Sequence, residues 1–141
     1  MMLSPVLFLF TLALGQTVLF TGNLYYFTPE KYPVLVRLGT EKNKVVGNGA
    51  LPVVKYHDTG ALFFSDNKKY LGVDKYGKFV MSEKPDTRFA LVDKVGSQWT
   101  QILFYKGDGD FQLCEDGSIG YKSKCKGAQT ISVEFEKTSL E

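Results

Sequence analysis

The sequence predicts an all-β protein, a single domain of short antiparallel strands forming a closed or nearly closed barrel or trefoil-like fold. A two-sheet β-sandwich is the alternative. Three observations predict this class. A nine-residue pattern (apolar, any, apolar, three residues, Gly, any, apolar) occurs three times: Val54–Leu62 (VKYHDTGAL), Leu71–Phe79 (LGVDKYGKF) and Phe111–Ile119 (FQLCEDGSI). Turn signals separate the apolar segments at roughly 8–12 residues, the spacing of sandwiches and barrels. No segment carries a 3.6-residue apolar period over a helix-length window.

Each copy of the pattern reads as a hairpin. Two apolar residues two apart face one side of a strand, a short polar loop ends in Gly, and alternation resumes. A type I turn followed by a left-handed Gly in a G1 bulge has this form. Gly is favoured at the bulge because φ > 0 costs it nothing. The length of 141 residues suffices for one domain with its own core.

In chain order, residues 1–15 read as a secretory signal peptide. The apolar run Val6–Leu14 precedes Ala13-Leu14-Gly15, whose small residues suit cleavage before Gln16. The competing reading is a membrane anchor, for which Met1–Phe20 is barely long enough and which Ser4, Pro5, Thr11, Gln16 and Thr17 interrupt. Residues 16–31 form an N-terminal apolar segment without clear periodicity, expected either to pack on the domain or to form an early strand. The all-β domain is expected over 32–141, its first firm strand at Tyr32–Leu38, with Pro33 marking an edge or a strand start. Gly39–Asn48 reads as a turn flanking Lys44–Val46. Nine strands are then predicted: Leu51–Tyr56, Ala61–Ser65, Lys69–Val73, Lys78–Ser82, Arg88–Val92, Trp99–Tyr105, Asp110–Cys114, Ser118–Tyr121 and Thr130–Glu136. Between them lie turn residues such as Asp66-Asn67, Gly107-Asp108-Gly109 and Asp116-Gly117.

Secretion directs the reading of Cys114 and Cys125, the two cysteines of the chain. An oxidising compartment favours a bond between them, with free thiols or an intermolecular link as the alternatives. Closing so short a loop stabilises by about 3 kcal/mol or slightly less in the chain-entropy model.

Net charge is +2, and Lys is scattered over the turns. Lys122, Lys124 and Lys126 form the one local cluster, which reads as a solvated loop beside Cys125. A nucleic-acid footprint needs more concentrated charge, so no nucleic-acid partner is expected. His57, the sole histidine, falls in the first repeat loop and reads as a turn residue; one His and two bonded cysteines do not make a zinc site. Asp108 and Asp110 flank Gly109, but the rest of a calcium-loop ligand set is missing. Asp58, Asp74, Asp108, Asp110, Glu115 and Asp116 all fall in turns, where acids are expected without catalysis, and no glycosidase pair stands out. No catalytic residue, metal or cofactor is therefore expected. Trp99 is the one candidate ligand contact, as a sugar-stacking ring; core packing and strand propensity are the competing account of the aromatics. Phe63 and Phe64 are adjacent in a strand and face opposite ways, so one is exposed unless both faces are covered.

The run Thr59–Phe79 (TGALFFSDNKKYLGVDKYGKF), with Phe111–Cys125 (FQLCEDGSIGYKSKC) and Thr130–Glu136 (TISVEFE), resembles the small cell-wall mannoproteins of budding yeasts. Both the GPI-type wall proteins and the C-terminal domain of the internal-repeat wall proteins are similar over most of residues 32–136. In those families a strand leads into Asp-Gly-x-Leu, followed by a Lys-Tyr-x-x-Val strand and a further turn glycine. Gly60-Ala61-Leu62, Lys69-Tyr70-Leu71-Gly72-Val73 and Gly77-Lys78-Phe79 occupy those places here, with Thr59 where the Asp would stand. Cys114 and Cys125 fall where the internal-repeat proteins place cysteines before the last strand. The resemblance implies a non-catalytic structural or surface-interaction protein of the fungal cell wall, whose partners are wall polysaccharide or other wall proteins. The sequence shows no Ser/Thr-rich stalk, no Gln-containing repeat, no sequon and no GPI-type tail. The expected protein is thus the bare globular module, secreted and free of the membrane after signal cleavage. The alternative is an extracellular carbohydrate- or protein-binding module, lectin-like or a secreted effector.

Overall fold

A computed structural model describes residues 17–32, 34–47 and 52–138. The expected signal peptide and the start of the strand expected at Leu51 lie outside these residues. The described chain forms β1 (Val18–Phe27), a 3-10 turn (Pro29–Lys31), β2 (Val36–Glu41), β3 (Lys44–Gly47), β4 (Val54–His57), β5 (Leu62–Phe64) and β6 (Lys69–Val73). It continues through β7 (Phe79–Ser82), β8 (Phe89–Asp93), β9 (Thr100–Tyr105), β10 (Phe111–Leu113), β11 (Ile119–Gly120) and β12 (Gln129–Lys137). Seven strands close an antiparallel barrel: the path β1-β2-β3-β7-β6-β5-β4 returns to β1 through the β1–β4 pairing. The predicted all-β barrel class is therefore observed. Closure removes the free edges that two separate sheets would retain.

The three repeats fold alike because each solves the same local problem. His57, Asp74 and Cys114 donate their amides to the carbonyls of Ala61, Lys78 and Ser118 at 2.8, 2.9 and 2.9 Å. Gly60, Gly77 and Gly117 donate back to the carbonyls of His57, Asp74 and Cys114 at 3.0, 3.0 and 2.9 Å. Their φ angles are +93°, +84° and +86°, the left-handed conformation that the G1 bulge requires. The first and last apolar positions of the copies (Val54, Leu62, Leu71, Phe79, Phe111, Ile119) are all buried in the core. The third positions, Tyr56, Val73 and Leu113, are half-buried and pack against it. Complete burial of side chains of this size contributes about 1.5–3 kcal/mol each before entropy is counted.

One alternative left open by the sequence is decided, for an early strand, and two details differ from the sequence reading. The N-terminal apolar segment supplies β1, which pairs β12 from Gly22↔Lys137 to Phe27↔Ser132, β2 at Tyr25 and Tyr26, and β4 over Val18–Gly22. Its weak periodicity follows from these changing partners. The strand expected at Tyr32–Leu38 starts only at Val36: Pro29 opens a 3-10 turn that Tyr32 closes, its ring edge-on to Phe27 at 5.0 Å. Gly39–Gly47 is mostly strand, a hairpin of β2 and β3 whose Glu41↔Lys44 pair leaves only Lys42 and Asn43 to turn. Lys42 adopts φ +50° there.

The barrel and the third hairpin meet where Gly77 touches Tyr121. The Tyr121 amide donates to the Gly77 carbonyl at 2.6 Å, and Lys78 bridges Gly120. A Cβ on Gly77 would overlap the Tyr121 carbonyl, whereas one on Gly96, at the same φ of +84°, would meet nothing within 4 Å. Alanine at Gly96 should cost only the left-handed backbone term, on the order of 1 kcal/mol. Alanine at Gly77 should cost that plus the steric clash, about 2–4 kcal/mol in all. Denaturant midpoints of G77A and G96A measure the difference, and equal losses would refute the close-approach argument.

Candidate functional site: a lysine-rimmed cleft at the hairpin ends

Cys114 and Cys125 are bonded, with Cα atoms 5.7 Å apart. The bond ties the loop after β11 to the third repeat hairpin, helped by the Ser123 amide donating to Gln112 Oε1 at 2.8 Å. That loop and the second repeat hairpin wall a cleft of about 670 Å³, lined by Tyr76, Lys78, Glu115, Asp116, Lys124 and the disulfide. A neighbouring cleft of about 490 Å³ shares Tyr76 and Lys124 with it. A third, of about 450 Å³, continues past Asp74 and Arg88 towards Lys84 and Asp86. Volumes of this order suit a small molecule or part of an extended ligand.

The middle cleft gathers cations from four separate stretches of chain: Lys75, Arg88, Lys106 and the pair Lys122 and Lys124. Backbone bonds hold these stretches together. The Lys106 amide donates to the Arg88 carbonyl at 3.0 Å, and the Tyr121 amide to Gly77 as above. Two Tyr-Lys dipeptides then repeat one geometry. In Tyr105-Lys106 and Tyr121-Lys122 the ring is buried and the lysine left-handed, at φ +52° and +50°. Each ammonium stands over its neighbouring ring, at 5.7 and 5.6 Å, within cation–π range. Lys42 and Lys68 share the backbone conformation elsewhere, so the fixed Tyr-Lys pairing, not the φ angle alone, distinguishes the cleft.

Arg88 is committed differently. Its Nε and Nη2 donate to the two Asp86 oxygens at 2.9 and 3.0 Å, and the Tyr105 hydroxyl donates to Asp86 Oδ2 at 2.7 Å. Burial alone would raise the Asp86 pKa, but the bonds from Arg88 and Tyr105 outweigh it and hold the carboxyl below its ordinary range. Burial first, and then the bond to Asp86, push the Tyr105 hydroxyl far up, so it stays a donor. Lys75, Lys106, Lys122 and Lys124, all exposed, have no carboxylate partner within ion-pair distance among the described residues.

The acids near these clefts serve turns or ion pairs. Asp74 Oδ1 accepts from the amides of Tyr76 and Lys78, both at 2.9 Å. Asp116 accepts from the Ser118 hydroxyl at 2.6 Å and amide at 3.0 Å, and those bonds lower its pKa. Glu115 lies 3.8 Å from Lys126. Asp108 accepts from the Asp110 amide at 2.9 Å, a local turn bond.

Trp99 precedes β9, is 43% exposed and lines none of the three clefts. The aromatic at the clefts is instead Tyr76, 68% exposed where two of them meet. Sequence reasoning set Lys122, Lys124 and Lys126 aside as a solvated loop. Lys75, Lys106 and Arg88 escaped notice because nothing in the chain order joins them. The recurrence of Tyr-Lys at the ends of β9 and β11 was the available signal.

His57 lies at the end of β4 and not within the loop proper. It is buried, in an outer-face aromatic cluster with Phe63 and Tyr70, its ring about 6.0 Å from each. This cluster covers Phe63 while Phe64 fills the core, so both faces of β5 are occupied. The Nδ1 atom has no hydrogen-bond partner among the described residues, and burial lowers the imidazole pKa from its ordinary 6.5. The unfolded chain therefore takes up a proton near pH 6.5 that the folded one resists. Stability from this group is complete above that pH and is lost as pH falls towards the depressed folded value. The denaturation midpoint should decline below pH 6.5, and His57→Phe should flatten that limb. Asp86, with its lowered pKa, accounts for a separate loss at or below its ordinary 3.8. An unchanged acid limb in H57F would sink this assignment.

Comparison of the chain with protein-family models, with curated proteins and with solved structures found no match.

Proposed function

We propose that this protein is a non-catalytic, secreted surface-interaction module of a fungal cell wall, acting by binding wall polysaccharide or another wall protein. The observation that carries the reading is the row of three open clefts, the first of them walled by the Cys114–Cys125 bond. A disulfide suits an oxidising, extracellular setting, and no described helix is long and apolar enough to cross a membrane. The resemblance of Thr59–Phe79 and Phe111–Cys125 to yeast wall proteins points the same way.

The carboxylates favour binding over hydrolysis. A general acid at neutral pH needs a raised pKa. Asp86 and Asp116 are both pushed down; both Asp86 oxygens, and Oδ1 of Asp116, already accept hydrogen bonds from the protein. Lysines and an exposed tyrosine form an attractive surface for a polar or anionic ligand.

Fractionation of producing cells and medium tests the proposal. The protein should be found with the walls and be released by salt, because lysine-mediated attraction is screened at high ionic strength. Release only by alkali or glucanase would indicate covalent attachment and overturn the binding mode. Recovery wholly in the medium would sink the wall assignment and leave a free extracellular binding module.

A further inference from the structure

The geometry points to a specific ligand class for the middle cleft: an anionic saccharide chain, carrying phosphate, sulfate or carboxylate groups at intervals. This rests on the binding role proposed above and names its chemistry. Lys75, Lys106, Lys122 and Lys124 converge on one cleft of about 490 Å³ and find no carboxylate partner among the described residues. Arg88, in contrast, is already neutralised by Asp86. Uncompensated like charges repel, and an anion in the cleft relieves that repulsion. Ammonium groups on flexible stems suit anions of varied geometry, whereas a dedicated phosphate site generally uses a free guanidinium fork.

The surroundings narrow the class further. The rings of Tyr105 and Tyr121 are buried, with the ammoniums of Lys106 and Lys122 over them, and so cannot stack on a ligand. Tyr76 differs in being 68% exposed, at the junction with the larger cleft; the Lys75 ammonium stands 5.2 Å from its ring centroid, so ring and charge are presented together. One stacking platform suits a sugar ring, while a nucleic-acid strand uses successive platforms and a continuous basic track. The clefts do not form a continuous basic track: Asp74, its Oδ1 taken by the Tyr76 and Lys78 amides, lines the middle cleft and the third, Glu115 and Asp116 line one neighbour, and Asp86 lines the other. A chain charged at every unit would meet those acids. A chain with spaced charges can place its anion among the lysines and its neutral rings in the flanking clefts.

The test is fluorescence anisotropy with labelled hexasaccharides bearing sulfate, phosphate or uronate groups, against neutral laminarihexaose and single-stranded oligothymidylate. The protein should bind at least one anionic hexasaccharide at least ten times more tightly than the neutral one, with affinity falling as salt rises. The arm that binds identifies the anionic group. The quadruple variant K75Q/K106Q/K122Q/K124Q should lose at least tenfold in affinity while keeping its thermal midpoint. The control K42Q/K68Q, away from the cleft, should bind as the unaltered protein does. If the quadruple variant fails to fold, the single variants K75Q and K124Q carry the test, each with a threefold or greater loss. Unchanged affinity in the variants, preference for the neutral sugar, or tighter binding of oligothymidylate overturns the inference. Wall retention that persists without any anionic hexasaccharide binding overturns this ligand class and leaves the wall role standing. Hexasaccharide binding without wall retention overturns the wall role alone.

Discussion

The backbone donors and acceptors of Val18–Phe27 need partners along ten residues, and the barrel depends on where they find them. β4 takes the first half, β2 meets Tyr25 and Tyr26, and β12 runs beside the second half. Most other strands are short, from two to six residues, and an isolated hairpin of such strands is marginal in water. Pairing through β1 turns a series of such hairpins into a closed ring, which gives every hairpin a neighbour and a shared core. Gly22 sits where β4 and β12 both reach β1, and a side chain there would overlap the Glu136 carbonyl.

The cleft forms where that ring meets the strands outside it. The second repeat hairpin (β6–β7) belongs to the ring, the third (β10–β11) pairs with β12 outside it, and the contact of Gly77 with Tyr121 joins the two. The disulfide restrains the loop that carries Lys122 and Lys124. Each of these lysines, like Lys75 and Lys106, lines the cleft with no ion-pair partner among the described residues. Charge that is scattered in sequence becomes concentrated in space, although the net charge is only +2.

Much of the fold was legible because it rests on local rules. A left-handed glycine after a three-residue loop, with apolar residues at fixed offsets, admits few conformations, and Gly60, Gly77 and Gly117 adopt the one expected. Strands such as Thr100–Tyr105 match the reading to within a residue because their alternation is decided by one buried face. The start of β2 was misplaced because Pro29 can open a 3-10 turn as readily as Pro33 can open a strand. β1 shows no single period in the sequence because its partners change along its length. Trp99 is the lone tryptophan, but its neighbours in space, not its chemistry, put it away from the three clefts.

By itself the sequence determined the strand class, the repeated hairpin, the turn role of the acids and the cysteine pair suited to bonding. These depend on φ preferences, alternation and chain proximity, which act over a few residues. The tertiary structure alone decided that β1 closes the ring, that His57 is buried against Phe63 and Tyr70, and that Lys75, Lys106, Lys122 and Lys124 share a cleft. Those outcomes depend on which distant segments pack together, and no local preference encodes a distance between residues 75 and 122.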